Sequence, residues 1–173
     1  MYNALLLQYQ YHRRVLQLFQ SYMSKALEAA HMAFQNDEVP VGAVIVSSDG
    51  KVLATTFNMI RKLNDPTAHA EILAIRKACE TLGTDRLEGC SIYVTLEPCS
   101  MCASAISLAR IAKLYFGAID NKSGGVENGA RIFTLPQTHH KPEIFGGIMA
   151  RECGEILTTF FSLKRDNDQS RTN

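Results

Sequence analysis

The sequence predicts a three-layer α/β/α fold in which helices cover both faces of a mixed five-stranded sheet. Apolar, β-branched runs alternate along the chain with segments whose apolar residues recur at helical spacing. A strand, a helix and a second strand follow one another over residues 91–119, which is typical of a right-handed parallel crossover. The Asp49-Gly50 hairpin signal adds an antiparallel pair, so the sheet is expected to be mixed.

The first predicted elements are a helix and a hairpin. Residues 22–34 carry apolar side chains at helical spacing, and Asn36-Asp37 is expected to end this helix. Residues 39–46 form an apolar, β-branched run, as expected of a buried strand. Residues 51–57 return as its partner strand across Asp49-Gly50.

The middle of the chain contains the predicted crossover. A helix is expected to begin at Asp65-Pro66, with an N-cap residue followed by proline at the first helical position, and to end at Gly83. A strand over residues 91–96, a helix over 99–110 and a strand over 112–119 follow.

The last third of the chain begins with a long polar loop over residues 120–141, and a loop of that length is usually functional or mobile. A short edge strand at 144–148 and a helix at 149–164 come next. We therefore predict one domain over residues 22–165, followed by a polar tail over 166–173.

Composition and charge narrow the class of protein. No apolar run is long enough to cross a bilayer, and a net charge of +1 does not by itself indicate nucleic-acid binding. The odd number of cysteines, five, and the lack of a secretory signal predict a reducing, cytoplasmic compartment. Residues 1–21 are expected to form an extension that is either a short helix or disordered, unless translation begins at Met23.

Two separated motifs carry the chemistry: His69-Ala70-Glu71, and Pro98-Cys99-Ser100-Met101-Cys102. One imidazole and two thiolates suit tetrahedral zinc, and three protein ligands leave the fourth position for water. The carboxylate of Glu71 is not needed as a ligand, but it can move protons on and off that water. Each motif lies in the first turn of a predicted helix, where thiolates are favoured. The pattern therefore predicts a zinc hydrolase.

Two other interpretations of the cysteines remain at this point. A closed structural zinc site would need a fourth protein ligand. Cys90 lies about 20 Å from Cys99 at the rise of a strand, and Cys79 lies about 15 Å from His69 at the rise of a helix, so both are poor candidates. Cys153 remains a possible fourth ligand. The Cys-x-x-Cys pair could instead be redox-active. Neither alternative accounts for the carboxylate of Glu71.

Together, the two motifs resemble the zinc signature of the cytidine and deoxycytidylate deaminase superfamily. Over residues 22–165 the chain resembles the tRNA-editing adenosine deaminases of bacteria, while 123–144 match that pattern only loosely. The similarity is carried by Val39-Pro40-Val41-Gly42-Ala43-Val44, Asn58, the stretches Asp65 to Glu71 and Tyr93 to Cys99, Phe116-Gly117-Ala118, Asp120, Lys122, Gly124 and Phe160-Phe161.

The resemblance implies a cytidine-deaminase-like fold, one Zn²⁺ per subunit and a homodimer. It implies hydrolytic deamination of adenosine to inosine at the wobble position of a tRNA anticodon loop. By position, His69, Cys99 and Cys102 would hold the zinc, and Glu71 would be the proton shuttle.

The resemblance also implies contacts to the substrate. The side chain of Asn58 would contact the target nucleoside, the backbone N–H of Ala70 would contact the purine, and Val41 would wall the base pocket. Read as residue types alone, Asn58 would be an ordinary turn residue and Val41 part of a strand core.

Several further residues are candidates for RNA contacts. Lys122 would meet phosphate or else be solvated, and Lys164-Arg165 would meet phosphate or else complement the C-terminus of their helix. Phe161 lies off the core face of its helix and would line the pocket or stack on a base. His139-His140 are expected to be exposed in a polar loop, with a second metal or the border of an RNA channel as alternatives.

Two other functions share the predicted site. One is deamination of a free base or nucleoside such as guanine or cytosine, which needs the same metal chemistry. The other is an inactive partner subunit that binds tRNA or dimerises. The presence of Glu71 argues against that subunit, because a scaffold has no need for a carboxylate beside zinc.

Overall fold

The computed structural model describes residues 22–171, except for the side chains of residues 168, 170 and 171. The predicted extension at residues 1–21 lies outside the described part of the chain. Among the described residues, no helix has both the length and the apolar character that a membrane span would require.

The predicted mixed five-stranded sheet is confirmed. Strand β1 lies between β2 and β3 and is antiparallel to both, while β3, β4 and β5 are parallel to one another. The strands are β1 (Gly42–Val46), β2 (Val52–Phe57), β3 (Ser91–Leu96), β4 (Lys113–Ala118) and β5 (Glu143–Phe145). The pairings of Gly42 with Phe57 and of Ala43 with Val94 bring the start of β1 and the ends of β2 and β3 to one edge.

Helices cover both faces of this sheet, as predicted. They are α1 (22–35), α2 (Ile60–Leu63), α3 (Ala70–Leu82), α4 (Ser100–Leu108) and α5 (Ala150–Arg171). Helices α3 and α4 pack on the face that carries Ile45, Ile92 and Phe116. Helices α1 and α5 pack on the opposite face, where Tyr93 and Tyr115 lie. Because side chains alternate along a strand, neighbouring residues supply two separate cores.

A ladder of aromatic rings runs across the second face. Tyr93 and Tyr115 stack with their centroids 4.5 Å apart, and Tyr115 stacks on Phe145 at 4.7 Å. Tyr22 of α1 extends the ladder at 5.2 Å from Tyr93, and its hydroxyl donates to the carbonyl of Gly50. The ladder therefore joins α1, the β1–β2 hairpin and three strands.

Helix α3 begins at Ala70, so the start predicted for this helix at Asp65-Pro66 is wrong. The Asp65 carboxylate instead accepts hydrogen bonds from the N–H and the hydroxyl of Thr67, at 2.8 and 2.7 Å. This local turn competes with helix formation. The short helix α2, which ends at Asn64 in the left-handed conformation, was not predicted.

Two boundaries near the end of the chain also differ. Strand β5 ends at Phe145 rather than 148, because the positive φ of Gly147 interrupts the extended backbone. The chain stays against the sheet beyond this point, since the N–H of Ile148 donates to the carbonyl of Phe116 at 3.0 Å. Helix α5 continues to Arg171, so much of the predicted polar tail is helical.

The closest approach between α1 and the sheet occurs at Gly42. A Cβ at this position would lie 2.0 Å from the carbonyl oxygen of Ala26 and 2.6 Å from the nitrogen of Ala30. Both contacts are with helix backbone, which cannot move aside as a side chain can. Glycine is therefore required for α1 to rest on β1.

We expect Gly42→Ala to lower the free energy of unfolding by about 3 kcal/mol or more, because the added methyl overlaps the α1 backbone. Gly154→Ala is the matched control. Gly154 lies in α5 with open space around its Cα, so alanine should raise stability by about 0.5–1 kcal/mol. Urea unfolding of both variants measures the two effects. A Gly42→Ala protein as stable as the parent would contradict this packing.

Candidate metal centre and active site

Three potential metal ligands meet where helices α3 and α4 begin. The Nδ1 of His69 lies 3.8 Å from the Sγ of Cys99 and 3.5 Å from the Sγ of Cys102. All three ligand atoms lie within 4.8 Å of one another, and no other group of three His, Cys, Asp or Glu side chains meets this condition among residues 22–171. One nitrogen and two sulfurs at this spacing fit a tetrahedral zinc ion.

Helix geometry explains the position of the ligands. His69 is the N-cap residue of α3 and Cys99 is the N-cap residue of α4. The partial positive charge of the α4 N-terminus favours thiolate. A hydrogen bond from Cys102, and then the neighbouring His69, lower the pKa of Cys99 to about 4. The pKa of Cys102 is raised because its thiol donates to Cys99 and because it is buried.

A fourth protein ligand is not found among the described residues, which removes the support for a closed structural site. Cys153, left open by the sequence, packs in the opposite core against Gly117. A Cβ at Gly117 would lie 2.5 Å from the Cys153 sulfur, so this cysteine serves close packing between α5 and β4.

The His139-His140 pair does not form a second metal site with other described residues. The ring Nε2 of His140 lies 2.7 Å from the carbonyl oxygen of Ile111, to which it donates. The hydroxyl of Ser107 donates to the backbone carbonyl of His140 at 2.7 Å. His139 is exposed, as predicted. His140 is half-buried, contrary to the prediction, because these bonds attach the long loop to the end of α4.

Glu71 is a buried carboxyl group beside the ligand cluster. Its exposed fraction is 3%, and it follows His69 by two residues in the first turn of α3. Burial raises the pKa of Glu71, and the neighbouring His69 offsets only part of that effect. A carboxyl group with a raised pKa beside a metal site is suited to accept and return a proton.

Asn58 lies next to the start of α3, and its amide is fixed by the backbone. Its Oδ1 accepts the N–H of Ala70 at 2.8 Å, and its Nδ2 donates to the carbonyl of Val39 at 3.1 Å. Asn58 is 5% exposed, and its own N–H donates to the carbonyl of Val41, which is also buried. The three predicted substrate positions are therefore adjacent. In this structure, however, the Ala70 N–H is already bonded to Asn58.

This arrangement gives α3 a cap that the sequence analysis missed. The N-cap residue His69 makes no side-chain capping bond, because its ring belongs to the ligand cluster. Asn58, which follows strand β2, accepts the first helical N–H from outside the helix. No local sequence pattern marks such a long-range cap.

The sequence analysis assigned no role to Glu97. This residue follows strand β3, lies directly before Pro98 and Cys99, and is 2% exposed. Burial acts to raise the pKa of Glu97, but hydrogen bonds from Asn128, Glu127 and Asp120 outweigh it, so the pKa is lowered. A charged residue at the end of an apolar strand was the available signal.

The three candidate RNA contacts line one cavity of about 750 Å³. Lys122 lies on one wall, and Phe161 and Arg165 of α5 lie on another. Phe161 is 44% exposed, while the adjacent Phe160 is buried against Phe34, as its position on the helix predicted. The structure therefore brings Lys122 to the same cavity as Phe161 and Arg165, which lie together on α5 and are far from Lys122 in sequence.

Comparison with known proteins agrees with this geometry. The cytidine and deoxycytidylate deaminase zinc-binding region matches residues 17–118, which include both motifs. The fold and the ligand cluster thus place the chain in the class of zinc-binding deaminases.

Individual relatives narrow the class. A tRNA-specific adenosine deaminase from Agrobacterium fabrum is 54% identical over 147 residues, covering 85% of this chain and 96% of that protein. A structure from a study of A-to-I editing by tRNA:A34 deaminases at the wobble position of transfer RNA is 55% identical, with a TM-score of 0.78. That match covers 79% of this chain and 99% of the other.

A guanine deaminase from Bacillus subtilis is also similar, with 40% identity and a TM-score of 0.55 over 57% of this chain and 63% of that chain. The adenosine deaminase matches extend over much more of the sequence. This chain belongs to the cytidine and deoxycytidylate deaminase family and, within it, to the tRNA-specific adenosine deaminases.

Removal of bound metal is expected to expose Cys99 to alkylation, because the half-buried sulfur would lose its coordination. The protein is treated with iodoacetamide before and after chelation, and labelled peptides are quantified by mass spectrometry. Cys153 is the internal control, since it is fully buried and should stay unlabelled in both samples. Equal labelling of Cys99 with and without chelator would contradict metal coordination.

Proposed function

We propose that this protein converts adenosine to inosine at the wobble position of a tRNA anticodon loop. The reaction consumes one water, replaces the C6 amino group of adenine with oxygen and releases ammonia. The observation that carries the proposal is the buried carboxyl of Glu71 beside a His-Cys-Cys cluster. Its support in sequence is membership of the tRNA-specific adenosine deaminases.

In this proposal His69, Cys99 and Cys102 hold one zinc ion per subunit. When bound, zinc supplies Lewis-acid activation of a water molecule. Glu71 would accept one proton from the attacking water and deliver it to ring N1 of adenine as the water oxygen adds at C6. Glu71 would then move the second proton from the new C6 hydroxyl to the amino group, which leaves as ammonia as the C6 carbonyl forms. Its burial suits both transfers, because a raised pKa lets the carboxyl hold the proton between them.

Asn58, Ala70 and Val41 form the proposed base pocket. One hydrogen of the Asn58 amide is used by Val39, so its second hydrogen is the donor offered to the target nucleoside. The Ala70 N–H contacts the purine only if it is shared with Asn58 or released by it. Val41 supplies apolar wall area from the start of β1.

The cavity between the 120–123 segment and α5 is proposed to receive the RNA strand beside the target. Lys164 pairs with Asp37, so its charge is already partly compensated. Lys122 and Arg165 have no carboxylate within ion-pair distance among the described residues, and we assign them to phosphate. Phe161 offers an exposed ring on which a base can stack.

We also infer a homodimer in the cytoplasm. Leu108 of α4 is 79% exposed and lies on the α3–α4 side of the molecule, where a second copy would cover it. All five cysteines are free thiols, which agrees with a reducing compartment.

The alternative is a deaminase of a free base, and the similarity to guanine deaminase is the observation that favours it. Both activities use the same ligand cluster, so the metal does not distinguish them. Ammonia release from free guanine, cytosine or adenine together with an inert anticodon stem-loop would establish the alternative.

We expect the parent protein to form inosine on an anticodon stem-loop, and Glu71→Ala to keep its metal but lose activity by at least about a hundredfold. Inosine is measured by mass spectrometry of nucleosides, and metal by elemental analysis. Glu80→Gln on the same helix is the control, because Glu80 is exposed and pairs only with Lys77 at 3.8 Å. Full activity of Glu71→Ala would remove the proposed proton shuttle.

Lys122→Ala is expected to raise the KM for the stem-loop about threefold to tenfold and to weaken its salt dependence, because one phosphate contact is lost. Steady-state rates between low and moderate salt measure both effects. Lys77→Ala on α3 is the charge-matched control and should leave KM unchanged. An unaltered salt slope for Lys122→Ala would place the RNA elsewhere.

A further inference from the structure

Glu97 is a buried carboxylate that the proposed reaction does not use. It directly follows β3, and its N–H donates to the carbonyl of Ala118 in β4 at 2.8 Å. The next two residues are Pro98 and the ligand Cys99. Glu97 is therefore fixed to the sheet on one side and to the ligand turn on the other.

The side chain of Glu97 accepts five hydrogen bonds, all from residues 120–128. Oε1 accepts the backbone N–H groups of Val126, Glu127 and Asn128 at 3.2, 2.8 and 2.9 Å. Oε2 accepts the N–H of Asp120 at 3.1 Å and the side-chain amide of Asn128 at 2.7 Å. One carboxylate therefore binds both the beginning of this segment, at Asp120, and its end, at residues 126–128.

The same segment contacts the ligand turn directly. The N–H of Gly125 donates to the carbonyl of Pro98 at 2.8 Å, and Gly124 forms a β-bridge with Cys99. A Cβ at Gly125 would lie 2.6 Å from the nitrogen of Ser100, so only glycine permits this approach. The segment therefore rests against the α4 N-terminus.

The near end of this segment is the wall of the proposed RNA cavity. Residues 120–123 line that cavity opposite α5. The Oδ1 of Asp120 accepts the N–H groups of Lys122 and Ser123 at 2.9 and 3.0 Å, which shapes the turn that carries Lys122. Glu97 holds Asp120, and Asp120 holds this turn.

We propose that Glu97 is a positioning residue for the RNA substrate: it fixes the Lys122 turn at a set place relative to Cys99. The role rests on the proposed RNA function. It predicts a particular kinetic pattern. A wall that is ordered before binding spares the complex the cost of ordering it, so a loosened wall weakens binding more than chemistry.

Glu97→Gln keeps the shape of the side chain and removes one acceptor. The new NH₂ group would face two hydrogen-bond donors if it replaced Oε2 and three if it replaced Oε1, so these bonds are lost in either orientation. We expect KM and Kd for an anticodon stem-loop to rise about tenfold. We expect kcat to change less than about threefold and metal content to stay at the parent level.

Amide hydrogen exchange provides a readout that does not involve RNA. The amides of Asp120 and residues 126–128 should exchange faster in Glu97→Gln than in the parent. Thr138→Val is the matched control, because it removes one hydrogen bond, to Ile132 at 2.6 Å, from the far part of the long loop without changing side-chain shape. Its KM and the exchange of the amides at 120 and 126–128 should match the parent.

Asn128→Ala keeps the proposal testable if Glu97→Gln does not fold. It removes only the side-chain bond to Oε2, and a rise in KM of about threefold is expected. Parent-like KM and exchange in Glu97→Gln or, failing that variant, in Asn128→Ala would overturn the role. A variant that lost metal or kcat while its KM stayed constant would also overturn the role, because that pattern indicates a merely structural effect. If the parent protein binds the stem-loop but does not deaminate it, only the proposed function is contradicted. The Kd values of the parent and of Glu97→Gln would then decide the role of Glu97.

Discussion

The site depends on one geometric requirement, that two helix N-termini meet at the same edge of the sheet. His69 and Cys99 are the N-cap residues of those helices, and with Cys102 their ligand atoms lie within 4.8 Å. A residue whose side chain is committed to the cluster cannot also cap its helix, so Asn58 supplies a bond to the Ala70 N–H from the end of β2. The strand order β2-β1-β3 places all of these groups at one edge.

Two buried glutamates near this edge differ in their surroundings and therefore in their chemistry. Burial dominates at Glu71 and raises its pKa, so protonation is within reach during a reaction. Five hydrogen bonds surround the carboxylate of Glu97 and lower its pKa, which favours the charged form. The surroundings of Glu71 therefore suit the proton transfer proposed for it, whereas those of Glu97 suit the proposed positioning role.

The sequence predicted what is encoded locally. Most of the strands and helices follow from the hydrophobic period and the turn residues. The motif spacing predicted the three potential ligands, and the structure brings them together. The sequence did not predict features whose partners are distant along the chain. The donors to Glu97 lie 23 to 31 residues away, and Asn58 caps a helix 12 residues further on. The helix start at Pro66 failed because the side chain of Asp65 bonds within its own turn.

The residues proposed for the chemistry and those proposed for substrate choice lie in different parts of the chain. The zinc-binding region of the family matches residues 17–118 and so includes every proposed metal ligand and Glu71. The walls of the cavity proposed to receive RNA come largely from outside that region, in residues 119–123 and α5. A deaminase can therefore keep one metal centre and change its substrate through these later segments. The cavity wall must still lie at a fixed distance from the reacting atoms. In our proposal Glu97 fixes this distance, because it lies next to the ligand turn and accepts hydrogen bonds from the wall segment.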